Sequence, residues 1–108
     1  MTRRIPMEAC LALLKRFDPD NATPQQTIAT AATALEGLLV EKALVDLNDG
    51  QFGALIDLLA WQGVDFFGTS TIRLWVNTGN FTLPPKTLDS FGPRGIAERK
   101  LWNMGNSL

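Results

Sequence analysis

The side chains best suited to chemistry in this sequence are two acidic clusters, two loose carboxylate pairs, one cysteine and one isolated lysine. Asp46, Asn48 and Asp49 run into Gly50 in the order D-x-N-D-G, which has the outline of a calcium loop. A helix–loop–helix calcium site needs D-x-[DN]-x-[DN]-G and a bidentate acid at its twelfth position. Here glycine falls one place early, and the twelfth residue is Asp57, with only a short carboxylate. The other cluster is Asp18, Asp20 and Asn21. Both clusters sit where helix ends are expected, and capping accounts for them. The pairs Glu36/Glu41 and Asp57/Asp65 have the groups for acid–base work, but no sequence feature desolvates them, so they read as solvated surface. Lys42, between Glu41 and Asp46, reads as local charge compensation.

The chain has no histidine and no tyrosine, and Cys10 is its one cysteine. That removes the commonest general base and every Ser-His or Cys-His arrangement. It also leaves too few ligands for a tetrahedral zinc site from this chain alone. Neither G-x-x-x-x-G-K-[ST] nor G-x-G-x-x-G occurs, so no cofactor is expected. Cys10 lies among apolar residues and reads as a buried structural thiol.

Charge is sorted along the chain. Residues 1–16 carry a net +3, residues 17–83 a net −6 and residues 84–108 a net +2, which the overall −1 conceals. Such a distribution steers partners by complementarity. Nucleic acid is one candidate, through Arg3 and Arg4 or through Arg94, Arg99 and Lys100 beside Trp102. Thr23–Leu47 can be laid onto a helix-turn-helix with Gly37 at the turn, but its second helix would present Glu41 and Asp46 with a single lysine. That is the wrong sign for phosphate.

The elements that would position these groups are mostly helical. Met7, Cys10, Leu11, Leu14 and Phe17 form an apolar stripe that ends at Asp18-Pro19. Thr23, Pro24 and Gln26 give a capping box for a second helix with Ile28, Ala31, Ala32, Leu35, Leu38 and Leu39 inward. Its run of alanine and threonine suggests a central helix, with Gly37 marking a crossing or a division before Leu47. A third helix follows Asn48 or Asp49, with Phe52, Leu55, Ile56 and Leu59 inward and Gly63 as C-terminal cap. Thr71–Val76 and Phe81–Leu83 around Asn77–Asn80 read as a small β-hairpin, with a short helix capped by Ser70 as the alternative. Pro84-Pro85, Gly92-Pro93 and Gly95 break up the remainder into an irregular arm. Two turns of helix over Ile96–Met104 would be ordered only by docking, on this chain's own body or on a partner.

The reading is therefore a mainly α protein. A three-helix bundle body with a hairpin or short helix spans 1–83, and a C-terminal arm spans 84–108. No stretch reaches the roughly 20 apolar residues that span a bilayer, and no signal-peptide pattern is present, so a cytoplasmic setting is expected. Function reads as a non-enzymatic protein-interaction module that assembles with copies of itself or binds and blocks a larger protein. Its size and composition are compatible with virus- or plasmid-encoded assembly proteins and inhibitors. Arg94, Arg99, Lys100 and Trp102 are the expected partner-binding residues, because Arg and Trp dominate interface hot spots. In this reading the acidic body faces a basic surface while the arm anchors elsewhere. The alternatives are a nucleic-acid-binding regulator using the basic termini and a small enzyme, or enzyme subunit, using surface carboxylates.

Overall fold

Phe52-Gly53-Ala54-Leu55-Ile56-Asp57-Leu58-Leu59 contains one charged side chain, and a helix this apolar on every side has to be surrounded. In the computed structural model, which describes residues 5–106, this stretch forms the middle of α4 (Asp49–Gln62), and every residue of it is buried. Asn48 starts α4 with a complete capping box: its side chain accepts from the Gln51 N–H, and the Gln51 side chain accepts from the Asn48 N–H. Gly63, at φ 93°, ends it.

Around α4 pack α1 (Met7–Phe17), α2 (Pro24–Leu38) and, most extensively, α8 (Pro93–Met104). The shorter helices α3 (Glu41–Asp46), α5 (Val64–Gly68), α6 (Thr71–Asn77) and α7 (Leu83–Leu88) connect them, with a 3-10 turn at Asp89–Phe91. The expected three helices are present as α1, α2 and α4. The centre is α4 rather than α2, and five further helices complete the described residues. The expected Arg3 and Arg4 contacts lie outside those residues.

The hairpin is corrected to helix: no strand occurs among the described residues, and Thr71–Asn77 is α6. Ser70 caps it by accepting from the Arg73 N–H. Arg73 Nε and Asn77 Nδ2 then both donate to the Leu38 carbonyl at the C-terminus of α2, at 2.8 and 3.1 Å. Those bonds satisfy an end-of-helix carbonyl that would otherwise lack a partner. They also explain the break after Gly37, since the chain turns at Leu39–Val40 and Val40 N–H donates to Asn77 Oδ1. At α2 the expected Thr23 capping box is absent. Asn21 does related work, accepting from the Thr23 N–H and donating to Thr27 Oγ1.

The segment expected to be an irregular arm is helical and docked. Pro84-Pro85 and Pro93 stand in the first turns of α7 and α8, where a missing N–H costs nothing. Close approach of α8 depends on two glycines. A Cβ at Gly50 would collide with the Leu101 carbonyl and lie 2.7 Å from Gly105 N. One at Gly95 would collide with the Leu88 carbonyl and lie 2.8 Å from Phe91 Cβ.

Two outcomes follow for stability. Gly95→Ala is expected to cost about 2 kcal/mol or more, through overpacking against backbone. Gly37→Ala, exposed on α2 with nothing within 4 Å of its Cβ position, should gain up to about 1 kcal/mol. Chemical denaturation of the two variants checks the contrast. Truncation before Pro84 should lower the midpoint of the cooperative thermal transition, because it uncovers the face of α4 on which α8 packs; calorimetry reads this directly.

Candidate functional site

Asp57 and Trp61 lie one helical turn apart on α4, and Arg94 and Glu98 lie one turn apart on α8. Equal spacing on two facing helices brings the four side chains together. Asp57 is 1% exposed and Glu98 0%, so two carboxyl groups are fully buried side by side. Arg94 takes Asp57 in a two-point pair, Nε to Oδ2 and Nη2 to Oδ1, both at 2.9 Å. Its guanidinium also lies 5.3 Å from the Trp61 ring centroid and 5.8 Å from that of Phe17. The Trp61 indole N–H donates to Glu98 Oε2 at 2.8 Å.

One arginine faces two carboxyl groups, and its fork is committed to Asp57. Among the described residues, no N–H or O–H donor is within reach of Glu98 Oε1. Burial pushes the Glu98 carboxyl up to about 10, and the hydrogen bond and charge of Asp57 push the same way. The Trp61 N–H and Arg94 pull it down by less. Near neutral pH Glu98 is therefore a carboxylic acid, and its own proton makes the bond to Asp57. The cluster then holds one cation, one anion and one neutral acid, the composition a low-dielectric site tolerates.

Trp61 also reaches the surface, 36% exposed, beside Val64 at 50% and Phe66 at 38%. Phe91 joins them edge-on, 6.4 Å from the Trp61 ring and 5.7 Å from Phe66. Beside this patch, between α2 and the end of α4, runs an open groove of about 390 Å³ lined by Thr27, Thr30, Ala34, Leu59, Ala60 and Val64 among others. Among the described residues, no titratable side chain lines the groove, and neither Asp57 nor Glu98 is part of its lining. Among the described residues, no group of three His, Cys, Asp or Glu side chains is placed to hold a metal ion. No helix among them is long and apolar enough to cross a membrane.

The residues that sequence singled out separate in space. Arg94 belongs to the buried cluster. Arg99 is half-buried and pairs with Asp89 at the surface, and Lys100 is exposed. Trp102 is 4% exposed and packs edge-on against Phe81 at 6.2 Å, so it anchors α8 within this chain. Of the carboxylate pairs, Asp57 is corrected from solvated surface to buried ion pair, while Asp65 is exposed on α5. Lys42 bridges Asp46 at 3.0 Å, as charge compensation requires. Cys10 is 1% exposed, and burial, with a smaller push from Asp57, raises its thiol to about 12; it is a structural thiol. Sequence reasoning missed Glu98 and the exposure of Trp61. A signal for Asp57 was present, as the lone charge between Gln51 and Gln62. Glu98, flanked by Ala97 and Arg99, offered none.

No protein-family model, curated protein or solved structure matches the chain.

Removing one partner of the cluster is expected to be costly. Arg94→Ala leaves the Asp57 carboxylate, on a side chain only 1% exposed, without its cation, at a cost of about 3–5 kcal/mol. Asp46→Ala, which breaks the exposed Lys42 pair, should cost no more than about 1 kcal/mol. Urea unfolding of both variants tests the difference.

Proposed function

We propose that this protein is a non-enzymatic protein-interaction module whose contact surface centres on Trp61, with Val64, Phe66 and Phe91 around it and Arg94 beneath. The observation that carries this reading is how Trp61 and Arg94 are held. Each is fixed from below by a buried carboxyl group, Glu98 and Asp57 respectively, while the Trp61 ring still reaches solvent. Tryptophan and arginine dominate interface hot spots. A side chain already locked in one rotamer loses less entropy on binding. The neighbouring groove adds uncharged, mostly small side chains that a partner segment can follow.

Self-association and the blocking of a larger protein both use such a surface. This reading gives the groove no catalytic part, since the residues that line it carry no titratable side chain. Nucleic-acid binding through the C-terminal cations is weakened by their pairing: Arg94 is committed to Asp57 and Arg99 to Asp89, which leaves Lys100. Arg99 and Lys100 would then serve, at most, as a charged margin of the contact.

The test uses Val64→Ser combined with Phe66→Ser, which removes exposed apolar surface and leaves the buried cluster whole. Light scattering at low and high salt reads self-association, and affinity capture from the native host reads foreign partners. The double variant should keep a cooperative melting transition, at a somewhat lower midpoint because Phe66 packs on Phe91, and weaken its complexes about tenfold or more. Complexes that survive unchanged would place the contact elsewhere on the molecule.

A further inference from the structure

Two carboxyl groups meet at the α4–α8 interface, and Arg94 has both of its forward N–H groups on one of them. Glu98 Oε1, sealed from water, is left with no donor other than a proton of its own. From this geometry we infer that docking of α8 on α4 takes up one proton, which makes α8 a latch that loosens as pH rises. When α8 is released, Glu98 enters water and ionises like any free glutamic acid. When α8 is docked, the same carboxyl is dry, sits against Asp57, and keeps its proton.

Among the described residues, the charges around Glu98 leave the proton no substitute. On α8 itself, Arg94 is spent on Asp57, Arg99 pairs with Asp89 of the 3-10 turn, and Lys100 is exposed. From α4 comes Asp57, which repels a second anion. From α1 comes Cys10, a neutral thiol held well above its ordinary range. On α7, Lys86 is exposed. Asp57 and Arg94 are the charges that act on Glu98, and Asp57 outweighs Arg94.

The sign is fixed by the direction of the shift. Docking raises the Glu98 carboxyl from its ordinary 4.5 to about 10, so between those values the docked form binds one proton that the released form does not. Stability present at acid pH is lost progressively across that window, by at most about tenfold in the docking equilibrium per pH unit. The window spans neutral pH, so the linkage operates under ordinary conditions and does not need extreme alkali. The chain has no histidine, so no imidazole titrates in the same range. It has no tyrosine either, so tryptophan emission can be followed into alkali without tyrosinate. Nothing in this inference depends on which partner, if any, binds at Trp61.

Native-state hydrogen exchange on the full chain between pH 6 and 9 tests the latch. After division by the intrinsic chemical rate, the opening constant of α8 amides should rise close to tenfold per pH unit, while α2 amides open less often. Glu98→Gln keeps an acceptor for the Trp61 N–H and offers an amide N–H to Asp57, so it imitates the protonated acid at every pH. Its α8 opening constant should be flat with pH. Asp57→Asn frees Arg94 for an ionised Glu98 and should reduce the slope, which supplies a second reading if Glu98→Gln folds poorly. A slope unchanged in these variants would overturn the proton linkage. Exchange of α8 and α2 through one common, global opening would overturn the latch.

Discussion

Burying Asp57 and Glu98 on facing helices sets the terms for the rest of this structure. A lone carboxylate in the middle of a helix that is apolar on all sides would be prohibitive, and α4 contains one. The helix can be surrounded only if some other element delivers a cation to Asp57, and Arg94 on α8 does so with both prongs of its fork. Everything that lets α8 reach that depth follows from this demand. Gly50 and Gly95 omit side chains where backbones touch, Pro93 opens the helix without an unsatisfied N–H, and Trp102 wedges its far end against Phe81. Against a hydrophobic pair of equal volume such a cluster contributes little net stability. What it fixes is position, since one register of α8 on α4 sets Arg94 on Asp57 and Glu98 under the Trp61 N–H together.

The helical body was legible in the sequence because its signals are local. The stripe of α1, the Asn48 cap and the Gly63 stop all act within one or two turns, and each stands where periodicity and capping chemistry placed it. The stretch 71–76 was misread because its β-branched and aromatic content is a weak local preference. It was outvoted by bonds from Arg73 and Asn77 to a carbonyl more than thirty residues earlier. Proline in the last quarter was read as punctuation. The same residue type is equally at home in the first turn of a helix, and spacing alone does not separate the two uses.

The candidate site was legible in part. Asp57 stands out once α4 is recognised as apolar on every face, since a charge there needs a partner from elsewhere. Which partner could not be read, because the answer depends on α8 docking antiparallel or parallel and at one rotation among many. Arg94 was singled out for its hot-spot character, and the structure gives it a different first duty beneath the surface. Trp102 had the same character and is consumed by the core. Trp61 emerges at the surface because α4 ends there at Gly63.

Trp61 belongs both to the exposed patch and to the carboxyl cluster, and this joins two properties that would otherwise be independent. Its indole N–H is held by the carboxyl whose proton is linked to docking, so the ring is presented in one orientation only while α8 is in place. A partner that recognises that orientation selects the docked form. Binding and proton uptake are then linked, and by thermodynamic reciprocity each strengthens the other. The size of the effect is limited by how often α8 is released in the free protein: if release is rare, binding is nearly independent of pH although the latch exists. Glu98 thus connects the inside of the molecule to its surface through a single hydrogen bond. No comparable bond ties Phe66 or Val64, whose part in any contact is simple burial.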